Sequence, residues 1–170
     1  FATDKQAPKP RAVADYGALV CRMTRGWGTR LIFEPGRLLV GDAGVLLTRV
    51  IRVKPGPSHP FVIVDAAMND LLRPSLYDAW HGLEAVMPTD DFMTADVVGP
   101  ICETGDSFAQ ARPLERVEQG DLMIVRTAGA YAAAMGSTYN SRPLAAEVLV
   151  CPNRWALVRE RQSLAEMVGG

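Results

Sequence analysis

Lysine is scarce in this chain. Lys5, Lys9 and Lys54 are the only lysines among eighteen basic residues, so the other fifteen are arginine. No excess of either charge is present, the formal net charge being -1, which argues against a nucleic-acid partner. No apolar run approaches the roughly 20 residues that span a bilayer, so no membrane helix is expected. Cysteine is limited to Cys21, Cys102 and Cys151, an odd and scattered set. That excludes a disulfide framework and fits a reducing cytoplasm. With only two histidines, His59 and His81, the Cys and His spacings match no metal-binding pattern. The opening FATDKQAPKP is polar and proline-bearing, and reads as a linker or cut end at residues 1–14.

Two textures follow. From Asp15, apolar residues Tyr16, Leu19, Val20 and Met23 recur at helical spacing, and GWG closes the run. Leu31-Ile32-Phe33 is then continuously apolar, which predicts a strand buried on both faces of a parallel sheet. It stops at Glu34-Pro35-Gly36-Arg37. In α/β architecture ligands sit at the carboxyl ends of strands, so Glu34 and Arg37 are candidate site residues. After Gly44 the pattern turns to strands separated by Gly/Pro turns: VLLTRVIRVK, FVIVDAA, ADVVGPICE, SFAQARPL, DLMIVRTAG, AAEVLVC and RWALVRER. YAAAMGSTY and QSLAEMV read as short helices. The expected class is mainly β with α, an antiparallel barrel or sandwich joined to an α/β stretch near residues 42–50. Within NDLLRPSLYDAW, Arg73 and Tyr77 are four apart and share a helix face.

GPICETGD (Gly99–Asp106) is the least ordinary stretch. A nucleophilic cysteine is usually given cationic neighbours, and carboxylates do the opposite. A thiol in acidic company suits proton delivery instead. For Cys21 and Cys151 a plain structural role is the expected one.

Four stretches in order, EPGR (Glu34–Arg37), DAAMNDLLRPSLYDAWH (Asp65–His81), GPICETGD, and AGAY with YNSRP (Ala128–Tyr131, Tyr139–Pro143), resemble one family. It is the diaminopimelate branch of the alanine-racemase-like, fold-type III pyridoxal-phosphate decarboxylases, and the resemblance runs from about Asp15 onward. EPGR and a Cys-acid loop also occur in the ornithine and arginine decarboxylases, while MNDLLRPSLY with CETGD favours the diaminopimelate branch. The resemblance implies that residues 15–44 are the last helix–strand stretch of a (β/α)8 barrel and residues 45–170 its β-rich C-terminal domain.

The resemblance also implies roles. Glu34 would face the ring nitrogen of pyridoxal 5'-phosphate, while Gly36, Arg37 and Tyr139 would approach its phosphate. Arg37, Arg73, Tyr77, Glu103 and Tyr139 would bind the substrate, meso-diaminopimelate, with Arg73 on a carboxylate and Glu103 on an amine. Cys102 would return a proton to the carbanion left after CO2 departs. The loop carrying Cys102 would reach into the partner subunit of a homodimer, so that each site is built from two chains. Tyr131 is a weaker candidate, and Ala132 departs from the glycine common there. The family's cofactor lysine has no counterpart at Lys5, Lys9 or Lys54. The chain is therefore expected to be the C-terminal portion of a longer enzyme and inactive alone. Alternatives are an ornithine, arginine or carboxynorspermidine decarboxylase, whose substrates lack the second carboxylate, and a non-catalytic β-domain binding module.

Overall fold

A computed structural model describes residues 13–169, in two compact units that divide between Pro35 and Gly36. The expected linker at 1–14 lies mostly outside the described residues.

In the first unit, α1 (Val13–Met23) carries the predicted apolar stripe, with Asp15 in its first turn and Arg22 in its last, each matching the helix dipole. Thr24 Oγ1 donates to the Val20 carbonyl at 2.9 Å, and Gly26 leaves the helix at φ 86°. No residue of α1 is buried. Tyr16 and Phe33 meet edge to face, their centroids 6.2 Å apart. The expected buried strand at Leu31–Phe33 is not formed: the segment is irregular, and Ile32 is 76% exposed. A strand needs neighbours for its N–H and C=O groups, and no strand among the described residues lies alongside.

The second unit begins with α2 (Gly36–Val40) and a 3₁₀ turn at Gly41–Ala43. Its strands are β1 (Leu46–Lys54), β2 (Phe61–Val64), β3 (Leu83–Ala85), β4 (Phe92–Val98), β5 (Ser107–Glu115) and β6 (Leu122–Val125). They form one sheet in the order β3-β6-β1-β2-β4-β5. The two ends of the sheet nearly close it into a barrel. The Ala85 amide on β3 donates to Glu115 Oε2 on β5 at 3.3 Å, and Arg112 Nη1 on β5 donates to the His81 carbonyl at 3.0 Å. Alternation fills the interior with Val62 and Val64, Ala95 and Val97, and Met123 and Val125. Buried Thr48 is satisfied, donating to Asp65 Oδ1 at 2.7 Å and accepting the Ala66 amide at 3.0 Å.

The all-antiparallel expectation fails at one pair. β2 and β4 run parallel, with Phe61 beside Asp96 and Ile63 beside Val98. The segment 65–91 between them carries α3 (Arg73–Tyr77) and β3, which is enough chain for the crossover that parallel strands need. Because β1 is antiparallel to both β2 and β6, strands β2, β4 and β6 all point the same way. Their carboxyl ends open at one end of the barrel.

β7 (Glu147–Cys151) and β8 (Arg154–Arg159) pair as a separate hairpin, followed by α4 (Leu164–Met167). Ser163 and Glu166 form a capping box at the start of α4. The helix expected at YAAAMGSTY shrinks to a 3₁₀ turn at Ala133–Met135, because Gly136 ends it. Helix α2 and strand β3 went unpredicted.

One close approach ties the start of the sheet to its far loop. The Ala128 amide donates to the Gly44 carbonyl and the Gly129 amide to the Gly41 carbonyl, both at 2.9 Å. A Cβ on Gly129 would overlap the Val40 carbonyl oxygen. Replacing Gly129 with alanine is expected to cost about 2–3 kcal/mol by forcing backbone apart. Gly17, inside α1 with open space around it, should by contrast gain about 0.5–1 kcal/mol as alanine. Urea unfolding of the two variants checks the contrast.

Candidate active site

The shared strand direction brings three of the motif stretches together. The segment after β2 leads into α3 with Arg73, the loop after β4 is Gly99–Asp106, and the segment after β6 holds Tyr131 and Tyr139. The turn before β1, which follows Arg37, opens at the same end.

Arg73 is half-buried at the start of α3, where Pro74 suits the first turn. Its guanidinium lies 5.3 Å from the ring centre of Tyr77 and 5.0 Å from that of Tyr131. Two aromatic faces hold the cation, and no carboxylate among the described residues pairs with it. Tyr131 reaches this contact from φ 69°, a strained left-handed backbone for a bulky residue and a mark of functional loops. The spacing of AGAY carries no signal of that conformation, so Tyr131 ranks low in the sequence and high in the structure.

Cys102 and Glu103 are both exposed. Tyr139 donates its hydroxyl to Glu103 Oε2 at 3.3 Å, and that carboxylate raises the phenol's pKa, so the phenol holds its proton. Loop 99–106 lies against α3: a Cβ on Gly105 would stand 2.8 Å from Ser75 Oγ. The loop after β6 is tied to the same region, since Asn69 Nδ2 donates to the Ser137 carbonyl at 2.9 Å and the Ser137 amide donates to the Asn69 carbonyl at 3.1 Å. Asn140 and Ser141 take left-handed backbones beside Tyr139. Arg142 donates to the Asp65 carbonyl and stands 3.6 Å from Asp70.

Glu34 is exposed and belongs to the first unit, while Gly36 and Arg37 belong to the second. A Cβ on Gly36 would meet nothing within 4 Å, so no packing among the described residues demands glycine there. Arg37 is exposed, without a hydrogen bond or ion pair to the described residues. An exposed arginine beside an unobstructed glycine backbone fits an anionic group such as a phosphate. Among the described residues no cluster of His, Cys, Asp or Glu could hold a metal, and no helix is long and apolar enough to cross a membrane. A separate cleft of about 230 Å³, lined by Gly44, Asn69, Ala128, Gly129, Glu147 and Arg159 among others, contains none of Arg73, Cys102, Glu103 or Tyr139.

His81 is buried before β3, with Nδ1 2.8 Å from the Arg126 carbonyl. Burial lowers its pKa, the carbonyl partly opposes this, and Arg73, Arg37 and Arg112 lower it further. Asp106 is buried too. Desolvation raises its pKa against two amide hydrogen bonds and Arg142, which lower it.

A chain matched by a family described as "Pyridoxal-dependent decarboxylase, C-terminal sheet domain" over residues 12–129 belongs to that family: this is a pyridoxal-dependent decarboxylase sheet domain. More particularly, it is similar to diaminopimelate decarboxylases. It is 55% identical over 161 residues to that of Zymomonas mobilis subsp. mobilis, covering 95% of this chain and 38% of the relative. With that of Neisseria meningitidis serogroup A it shares 53% over 160 residues, covering 92% and 39%. The crystal structure of the Helicobacter pylori diaminopimelate decarboxylase complexed with L-lysine superposes with a TM-score of 0.84 at 36% identity, covering 95% of this chain and 40% of that one. The lysine/ornithine decarboxylase of Vibrio vulnificus complexed with cadaverine gives 0.58 at 25% identity, covering 64% and 30%. The chain thus spans about two fifths of the length of the diaminopimelate decarboxylases it matches.

The titration of His81 yields a test with a definite sign. Its folded pKa lies below the ordinary 6.5, so the unfolded chain takes the proton more readily. The stabilising contribution is present above pH 6.5 and is lost as pH falls toward the folded pKa. Asp106, with its pKa raised from 3.8, has the opposite sign: its contribution is present below 3.8 and lost as pH rises through the folded value. An asparagine at position 81 can still donate an N–H to the Arg126 carbonyl but cannot titrate. His81→Asn should therefore show a smaller fall in Tm between pH 7 and pH 5.5 than the unmutated protein, as calorimetry would measure.

Proposed function

We propose that this chain is the C-terminal part of a longer pyridoxal-phosphate-dependent enzyme that converts meso-2,6-diaminopimelate to L-lysine and CO2. The observation that carries the reading is Arg73: a guanidinium held against two tyrosine rings, without a carboxylate partner among the described residues. Diaminopimelate has a second amino-acid end to present to it. Ornithine, arginine and carboxynorspermidine have no second carboxylate, and the likeness to the lysine/ornithine decarboxylase is the weaker one.

In this reading residues 15–44 finish a (β/α)8 barrel and residues 45–170 form the β domain. Glu34, Gly36, Arg37 and Tyr139 would hold pyridoxal 5'-phosphate, which when bound supplies an electron sink for the pair left by the departing carboxylate. Arg73, with Tyr77 beside it, clamps the distal carboxylate, and Arg37 adds positive charge. Glu103, oriented by the Tyr139 hydroxyl, takes the distal ammonium. Cys102 stands next to Glu103 on the same loop and delivers the proton that replaces CO2 on the substrate carbon. Because Cys102 and Glu103 are exposed on a surface loop, they suit a site completed across the interface of a homodimer. The enzyme would work in the cytoplasm, in lysine biosynthesis.

In the full-length parent, Arg73→Ala should lower kcat/KM for meso-diaminopimelate by about 30-fold to 1,000-fold or more, the scale of losing one partner of a buried charge pair. Arg73→Lys should recover only part, since an ammonium lacks the two-pronged fork. Cys102→Ala should lower kcat by about 10²–10⁴ with little change in KM. The 170-residue chain alone should release no CO2. Unchanged kcat/KM in Arg73→Ala would remove the diaminopimelate reading, and a silent Cys102→Ala would favour a non-catalytic domain.

A further inference from the structure

Cys102 and Glu103 stand on an exposed loop, and something must hold that loop in place. We propose that Asp106 is the positioning residue that fixes the loop carrying Cys102 and Glu103, by bonding the backbones of that loop and of the segment leading to α3 with one carboxylate. The proposal rests on the functional reading above and adds a residue to that site.

Asp106 is 3% exposed. Its Oδ1 accepts the Met68 amide at 2.7 Å and its Oδ2 accepts the Ile101 amide at 2.8 Å. Ile101 is the neighbour of Cys102. Met68 sits at the head of the segment leading to Arg73, and that segment is itself stiff. The Ala67 amide donates to Asp70 Oδ2 at 2.9 Å, while the Asp70 and Leu71 amides donate back to the Ala67 carbonyl at 2.9 and 3.2 Å. The Leu76 amide then donates to the Leu72 carbonyl at 3.0 Å, carrying the order into α3.

The loop bearing Cys102 is closed on Asp106 from its own side as well. The Gly99 amide donates to the Asp106 carbonyl, and the Asp106 amide donates to the Glu103 carbonyl, both at 3.0 Å. A Cβ on Gly99 would overlap the Asp106 carboxylate, so glycine is needed for the carboxylate to fit. Only an ionised carboxylate offers an acceptor oxygen to each of two N–H groups; an asparagine would turn an NH2 toward one of them. An isolated buried carboxylate is costly, and desolvation does raise this one's pKa. The two amides and the Arg142 charge favour the ionised form, with Asp70 opposing them. Arg142 belongs to the YNSRP stretch, so a third motif supports the same carboxylate.

The test uses the full-length enzyme with Asp106→Asn, and with Asp91→Asn as a surface control that breaks only the exposed pair with Arg116. Amide hydrogen exchange is followed on peptides covering 66–70, 100–106 and, as a reference, 122–125. Asp106→Asn should speed exchange in the first two peptides together, by about tenfold, the scale of one buried hydrogen bond left unmade. The reference and the control should not change. Alkylation of Cys102 by iodoacetamide, mapped by mass spectrometry, should change in rate, and kcat should fall at least tenfold. A purely structural Asp106 would lower Tm and leave kcat of the folded enzyme intact, and that result overturns the proposal. So does faster exchange in only one of the two loops, or a lower kcat with exchange unchanged. Should Asp106→Asn not fold, the unmutated enzyme decides. Across a urea series at fixed pH, the two peptides should lose protection together, and independent loss overturns the proposal. An unmutated parent that does not decarboxylate diaminopimelate overturns the proposed function instead, and the exchange data still judge the coupling.

Discussion

The site in this chain depends on a direction. Strands β2, β4 and β6 point the same way because β1 is antiparallel to two of them and β2 pairs parallel with β4. Every strand end that matters then opens on one side. Had the β2–β4 pair been antiparallel, as in a simple meander, loop 99–106 would leave from the opposite end of the barrel and Glu103 could not accept the Tyr139 hydroxyl. The crossover segment 65–91 therefore does two jobs. It makes the parallel pairing possible, and it carries Arg73.

Within that frame the loops are held by backbone groups more than by side-chain packing. Short, polar and glycine-bearing loops bury little apolar surface, so hydrogen bonds and close backbone approach must hold them in place. Gly129 against Val40 and Gly44 fixes the loop after β6. The mutual bonds of Asn69 and Ser137 fix it again, nearer Tyr139. The strained backbone of Tyr131 survives because anchors on both sides over-determine it.

Much of this was legible from residue order alone, for physical reasons that vary by element. FVIV and LMIV are short continuous apolar runs, and strands form where such runs predict them. The motif residues Arg73, Glu103 and Tyr139 were chosen by family resemblance, and the structure places them on neighbouring loops. Leu31–Phe33 misled because hydrophobicity reports a wish to be buried, whereas a strand also needs a neighbour. Strand β3 is three residues long, too short for periodicity. Pair direction left no trace in composition. Nor did Asp106: an aspartate after glycine reads as turn chemistry until both its oxygens are seen occupied by amides from separate loops.

At several positions the choice of arginine over lysine has a structural reason. Arg73 lies between two tyrosine rings and Arg112 lies 4.7 Å from the ring centre of Trp80 while bonding the His81 carbonyl. Arg126 meets both oxygens of Glu84 with Nε and Nη2. Arg159 divides its fork between the Ala145 carbonyl and Glu147. Each of these positions uses a flat face or donors spread over a planar fork, and an ammonium, whose donors all sit on one nitrogen, offers neither. Lysine at these places would keep the charge and lose the geometry.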